Sequence, residues 1–223
     1  MPVVMSVLVM HSTQERTELE KEQRFATRVV RFILWCAATL LFRIRVEGAE
    51  NVPPTGAALL VSNHISYADA VLVGYTTPRI VRFLMWQPIY DIPVFNYFFR
   101  LLRAIPIDAA SPKTTLRALR AARTELFAGK LVAIFPEGFI TRNGELGPFE
   151  RGFERILDGT GAPVIPMHVS GLYGHPLSCR GGAPFKSWQN LWRPKATVRI
   201  GPPVHQPLSP AELRQIVAGL GAG

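Results

Sequence analysis

Ala57-Ala58-Leu59-Leu60-Val61-Ser62-Asn63-His64-Ile65-Ser66-Tyr67-Ala68-Asp69 is the stretch on which the fold of this chain turns. An apolar, strand-like run passes through small polar residues into a second apolar run, Ala70 to Val73. His64 and Asp69 stand five positions apart. On a helix that spacing is about 500° of rotation, which separates the side chains around the axis. On a strand an odd spacing sends them to opposite faces. The two can meet only where a strand ends and the chain bends into a helix, and the composition here supplies that bend. An imidazole held by a carboxylate at such a bend is equipped to act as a general base. The spacing alone also fits a plain helix start, with Asp69 in the first turn.

Two further blocks repeat the strand-then-loop theme. Leu131-Val132-Ala133-Ile134 leads into Phe135-Pro136-Glu137-Gly138, and Val164-Ile165-Pro166-Met167 is a third apolar run with a central proline. Other elements are legible around them. The patterning predicts a helix over 25–42, strands near 43–46, 57–62, 80–85, 105–107, 131–135, 163–169 and 196–200, and helices over 69–75, 88–102 and 150–160. Ser111-Pro112 and Ser209-Pro210 are helix starts, each with a serine cap and proline at the first position. Gly129 is a natural stop for the first of these. Strands alternating with helices predict a single α/β domain with a mostly parallel central sheet flanked by helices, whose sites form beyond strand ends. Residues 1–45 read as a tail plus an amphipathic membrane-interfacial helix, and 46–223 as the catalytic domain.

The chain has 223 residues, 48% of them hydrophobic, and a formal net charge of +9. Residues 1–50 hold seven basic and six acidic groups, against 18 and 10 in the remainder, so the excess sits on the globular body. Such a body suits an anionic membrane or an acidic carrier protein. Nothing resembles a nucleic-acid-binding motif, so nucleic acid is not expected. The uncharged stretch Phe32 to Phe42 is 11 residues, about 16 Å of helix, too short for a hydrocarbon core of about 30 Å. A helix lying in one leaflet is expected, with Arg28 and Arg31 at the headgroups and Phe32, Trp35 and Phe42 below. The apolar first ten residues lack a basic leader, so no secretory signal is expected, and the cytoplasmic face of a membrane fits. Cys36 and Cys179 are expected to stay unpaired, and His175-x3-Cys179 lacks the second ligand pair a metal site needs.

The His64-x4-Asp69 block, the Phe135-Pro136-Glu137-Gly138 block and the apolar-Pro-apolar block, in this order, resemble the glycerolipid acyltransferase superfamily of the lysophosphatidate acyltransferase type. The resemblance covers roughly residues 40 to 205. It implies transfer of a fatty acyl group from a thioester to a glycerolipid hydroxyl, with acyl-CoA or acyl carrier protein as co-substrate and no cofactor or metal. It also implies His64 as the base and Asp69 as its partner. Phe135, Pro136, Glu137 and Gly138 would form the acceptor pocket, with Asn63, Ser66 and Arg142 in the substrate-binding set. Arg151 and Arg155 are further basic groups near an anionic headgroup. Ser66 suits backbone bonding at the turn better than a nucleophilic role.

In two places the chain departs from the lysophosphatidate pattern. Where that subgroup carries Thr-Arg directly after Phe-Pro-Glu-Gly, this chain reads Phe139-Ile140-Thr141-Arg142. Ala104-Ile105-Pro106-Ile107-Asp108-Ala109 lacks an arginine after the aspartate. The run from Phe135 to Leu146 resembles the branch that reacylates lysophospholipids such as 2-acylglycerophosphoethanolamine. That places a lysophospholipid acceptor ahead of lysophosphatidate, with a thioesterase and a non-catalytic lipid-binding protein as rivals of other classes.

Overall fold

The computed structural model of the chain describes residues 25–189 and 191–222. The expected tail, residues 1–24, lies outside them. Seven strands form one sheet in the order β1-β7-β6-β2-β5-β3-β4. They are β1 (Arg43–Glu47), β2 (Ala58–Ser62), β3 (Val81–Trp86), β4 (Ile105–Ile107), β5 (Leu131–Ile134), β6 (Val164–Ser170) and β7 (Lys195–Ile200). β2 lies at the centre, parallel to β5 on one side (Leu59 opposite Val132) and to β6 on the other (Leu60 opposite Ile165). All residues of β2 and β5 are buried. That is why they read as continuous apolar runs rather than alternating ones. β7 runs antiparallel to β6, and β1 pairs parallel to β7.

Helices cover both faces. One face packs Leu60, Ile165, Met167 and Val198 against Leu72 of α2 (Asp69–Tyr75). Across it runs α1 (25–41), whose Trp35 stacks on Tyr75 with ring centroids 5.7 Å apart. The other face packs Leu59, Val61 and Val132 against α5 (Pro112–Phe127), α6 (Gly152–Leu157) and α7 (Pro210–Gly221). α5 and α7 begin on the two serine caps, and α7 closes a full capping box between Ser209 and Glu212.

Several expectations are corrected. The single helix over 88–102 is two, α3 (Gln87–Tyr90) and α4 (Pro93–Leu101). Pro93 disfavours the helical region at the preceding residue, and Ile92 is extended with ψ 118°. The helix over 150–160 shortens to α6, because Asp158 leaves the helix with ψ 116° and Gly159 is left-handed with φ 71°. Phe42 is not on a lipid-facing surface. It is 3% exposed, in the core beside the His175 ring. Arg31 is half-buried and donates to the carbonyls of Thr77 and Pro78 at the end of α2, while Arg28 is exposed. No helix among the described residues is long and apolar enough to cross a membrane.

Because β5, β2 and β6 are adjacent and parallel, their carboxyl ends lie side by side at one edge of the sheet. The three loops singled out in the sequence leave from there, so the sheet order itself brings the blocks together.

Candidate active site

At the end of β2, Asn63 is buried and its amide bridges to β6. Nδ2 donates to the Val169 carbonyl at 2.9 Å, and Oδ1 accepts from the Val169 N–H at 2.7 Å. Beyond Asn63 the chain leaves the sheet and turns into α2. Asp69, fully buried, sits in the first turn of α2 and faces back across this bend. Its Oδ2 accepts from His64 Nδ1 at 2.9 Å, from the Ile65 N–H at 2.7 Å and from the Ser66 N–H at 2.8 Å. One carboxylate oxygen therefore shapes the turn and orients the imidazole. The Nδ1 proton lies on the aspartate side, so Nε2 carries the lone pair. Nε2 has no partner among the described residues, and the side chain is 19% exposed. Asp69 Oδ1 is buried without a hydrogen-bond partner.

The Phe135 block clamps this turn. Phe135 stacks on the imidazole at 4.1 Å between centroids and 12° between planes, and is itself stacked near Phe83. The Phe135 carbonyl accepts from the Gly138 N–H, making a tight turn across Pro136 and Glu137, and Gly138 leaves it left-handed with φ 75°. Pro136 is buried, and its carbonyl accepts from Glu150 N–H at 2.8 Å. Glu137 is 2% exposed. Its Oε1 accepts from the His64 N–H and Oε2 from the Gly147 N–H, both at 2.7 Å. The Thr141 N–H then donates to the His64 carbonyl at 2.9 Å. Both backbone groups of His64 are thus held by the loop that follows β5.

Ser66 is fully buried. Its Oγ donates to the Leu177 carbonyl at 3.2 Å and accepts from the Ala68 N–H at 3.2 Å. Asn63, Ser66 and Glu137 are accordingly engaged by backbone groups. Arg142, by contrast, is exposed on the same loop as Thr141, with its carbonyl bonded to the Tyr173 hydroxyl. Arg151 pairs with Glu154, and Arg155 lines a separate groove between α5 and α6 beside Arg120 and Arg123.

A third wall escaped the sequence reading. The loop after β6 bonds to the turn through Leu177 and through a short bridge between Ser66 and Ser178. It also brings the buried Cys179 thiol against the Tyr67 hydroxyl. Burial pushes the Cys179 thiol above its ordinary range, while the Tyr67 hydrogen bond and the Arg142 charge draw it back. Tyr67 was visible inside the His64–Asp69 block. Nothing in the sequence tied Cys179 to it, because the two are joined only by the return of the chain after β6.

Burial raises the Glu137 carboxyl above its ordinary 4.5, against the pull of its two N–H donors. The folded chain therefore keeps this proton where the unfolded chain has released it. The site's stabilising contribution is complete below the unfolded value and is lost as pH rises through the raised folded value. Glu137→Gln cannot titrate. In thermal melts, the stability of the natural chain relative to this variant should decline as pH rises from 4.5. A difference independent of pH would refute this coupling. The glutamine NH2 would also face one of the two N–H donors, loosening the His64 backbone. Turnover should fall about 10- to 100-fold.

A family model described as Acyltransferase matches residues 43–170. The 1-acyl-sn-glycerol-3-phosphate acyltransferase of Pseudomonas aeruginosa is 32% identical over 146 residues, covering 64% of this chain and 56% of that protein. The chloroplastic 1-acyl-sn-glycerol-3-phosphate acyltransferase BAT2 of Brassica napus is 28% identical over 141 residues, covering 62% of this chain and 41% of that one. The chain thus spans about half the length of these curated relatives. The crystal structure of the 1-acyl-sn-glycerophosphate (LPA) acyltransferase PlsC from Thermotoga maritima superposes with a TM-score of 0.71 at 27% identity, over 91% of this chain and 81% of that one.

Proposed function

The chain belongs to the acyltransferase family, and from that premise we propose that it moves a fatty acyl group from a thioester to the free hydroxyl of 1-acylglycerol 3-phosphate. The observation that carries the mechanism is the His64 Nδ1 to Asp69 Oδ2 bond at 2.9 Å, with Nε2 left open. Nε2 removes the hydroxyl proton as the acceptor oxygen attacks the thioester carbonyl. Asp69 holds the tautomer and stabilises the imidazolium that forms. Collapse of the tetrahedral intermediate expels the thiolate, which takes the proton back from Nε2. The acyl group passes directly to the lipid, so no residue of the chain carries it.

Asn63, Ser66 and Glu137 act in this scheme as positioning groups, and Phe135 fixes the plane of the imidazole. Arg142 is the cation available to an anionic headgroup at the mouth. The displaced Arg142, the missing arginine after Asp108 and the likeness of Phe135 to Leu146 to the reacylating branch put a headgroup-bearing lysophospholipid first in the sequence. The names of the relatives, both 1-acyl-sn-glycerol-3-phosphate acyltransferases, support the phosphate monoester instead. A lysophospholipid with an esterified headgroup remains the second reading, because Phe139 and Ile140 stand where the lysophosphatidate pattern has its Thr-Arg pair.

The acyl carrier, coenzyme A or acyl carrier protein, is a co-substrate. We place the reaction at a membrane surface, on the cytoplasmic side. In support, α1 exposes Phe25, Phe32, Ile33, Leu40 and Leu41, and α4 exposes Val94, Phe95 and Tyr97. The Thr27 hydroxyl donates to the Leu101 carbonyl, so the two helices adjoin. A panel of lysolipids, each tried with both thioester donors, tests the reading. The highest kcat/KM should fall on 1-acylglycerol 3-phosphate, and Arg142→Ala should raise its KM about tenfold with little change in kcat. Preference for an ethanolamine-bearing acceptor would select the second reading. Fatty acid release without an acceptor would make the chain a thioesterase.

A further inference from the structure

The loop after β6 does more than wall the active site. Between residues 171 and 194 it carries Arg180, Lys186 and Arg193, with Lys195 opening β7, and no Asp or Glu. Among them stand Phe185, Trp188, Leu191 and Trp192, which are 57%, 62%, 55% and 86% exposed. Four large apolar side chains in water on one short stretch are costly unless something covers them. The stretch is not slack. The Phe185 N–H donates to the Pro176 carbonyl at 2.6 Å and the Ser187 hydroxyl to the Gly174 carbonyl at 2.8 Å. Arg180 lies over the Tyr173 ring and bonds Gln189. Phe185 and Arg193 are both left-handed, at φ 62° and 44°. That conformation disfavours side-chain-bearing residues and persists only where its surroundings enforce it.

On its far side the stretch is tied to the end of α1 and the start of β1. Arg193 Nη2 donates to the Thr39 carbonyl at 3.1 Å, and the Arg43 N–H donates to the Pro194 carbonyl at 2.9 Å. The exposed Leu40 and Leu41 follow Thr39 directly. The aromatic loop thus continues the apolar surface of α1 at the end opposite α4, and its base is bonded to the turn that holds His64.

We infer that Phe185, Trp188, Leu191 and Trp192 form a second membrane-inserting element, which seats the mouth of the active site on an anionic phospholipid surface. Tryptophan with interleaved lysine and arginine suits the headgroup boundary, and four cations without a carboxylate complement anionic lipid. This rests on the membrane reading above and deepens it, by giving the acceptor a lateral route from the bilayer to His64.

The test uses the full chain with Trp35→Phe and Trp86→Phe, leaving Trp188 and Trp192 as its tryptophans, and vesicles of phosphatidylglycerol and phosphatidylcholine. Brominated acyl chains should quench the emission, and partitioning should be at least fivefold stronger than onto phosphatidylcholine alone. Trp188→Ala with Trp192→Ala should weaken partitioning about tenfold and slow turnover of vesicle-embedded acceptor, while a short-chain water-soluble acceptor is turned over as before. Binding without quenching would overturn the inference and leave α1 as the anchor. So would a dimer, or a complex with an acidic carrier protein, that the double substitution dissolves. Quenching needs no turnover, so failure of the proposed reaction would be seen separately.

Discussion

His64→Ala should lower acyl transfer by about 10³- to 10⁴-fold with the protein still folded, at the upper end of what a positioned acid–base group contributes. The side chain is partly exposed and stacked on Phe135 alone, so its removal opens little of the core. Its backbone stays clamped by Glu137 and Thr141. What disappears is the imidazole nitrogen that the proposed mechanism uses as its base. Thermal melts and vesicle binding near the natural values, beside the lost turnover, would assign the effect to chemistry. A variant that retained most of its transfer rate would leave the turn without a catalytic role.

The second large effect is expected from Asp69→Asn, a loss of about 10²- to 10³-fold that falls on kcat rather than on acceptor KM. Asp69 Oδ2 accepts three hydrogen bonds while Oδ1 has no partner. An asparagine that turns its oxygen to the three donors buries its NH2 where no acceptor stands. Turned the other way, it sets an NH2 against three donors, releasing both the bend and the imidazole. Either orientation costs about 1–3 kcal/mol in stability as well, the penalty for a buried polar group without a partner. A change confined to acceptor KM would show that Asp69 serves binding instead.

Much of this was readable in the residues. Ala58–Ser62 and Leu131–Ile134 form strands because unbroken apolar runs of that length suit a sheet covered on both faces. The odd spacing of His64 and Asp69 required a bend, and the structure supplies one. Local pattern could not show that β7 runs against β6, since pairing direction depends on partners far along the chain. The same limit hid the Glu137 clamp, which reaches the His64 N–H across 73 residues, and the meeting of Tyr67 with Cys179. Phe42 was misplaced because helical apolar periodicity does not say which apolar face a core will claim. Trp188 and Trp192 stand in a Gly- and Pro-rich stretch without helical or strand periodicity, so no pattern marks them as exposed.

The central claim is that imidazole and carboxylate act as one unit on the acceptor hydroxyl, and a double-substitution cycle tests it most directly. Transfer of a radiolabelled acyl group to 1-acylglycerol 3-phosphate would be timed for the natural chain, His64→Ala, Asp69→Asn and the pair combined. The combined variant should be little slower than His64→Ala alone, because Asp69 has no imidazole left to orient and only its hold on the Ile65 and Ser66 N–H groups is left to lose. Losses that multiply would mean that the two residues contribute independently, and would contradict the account.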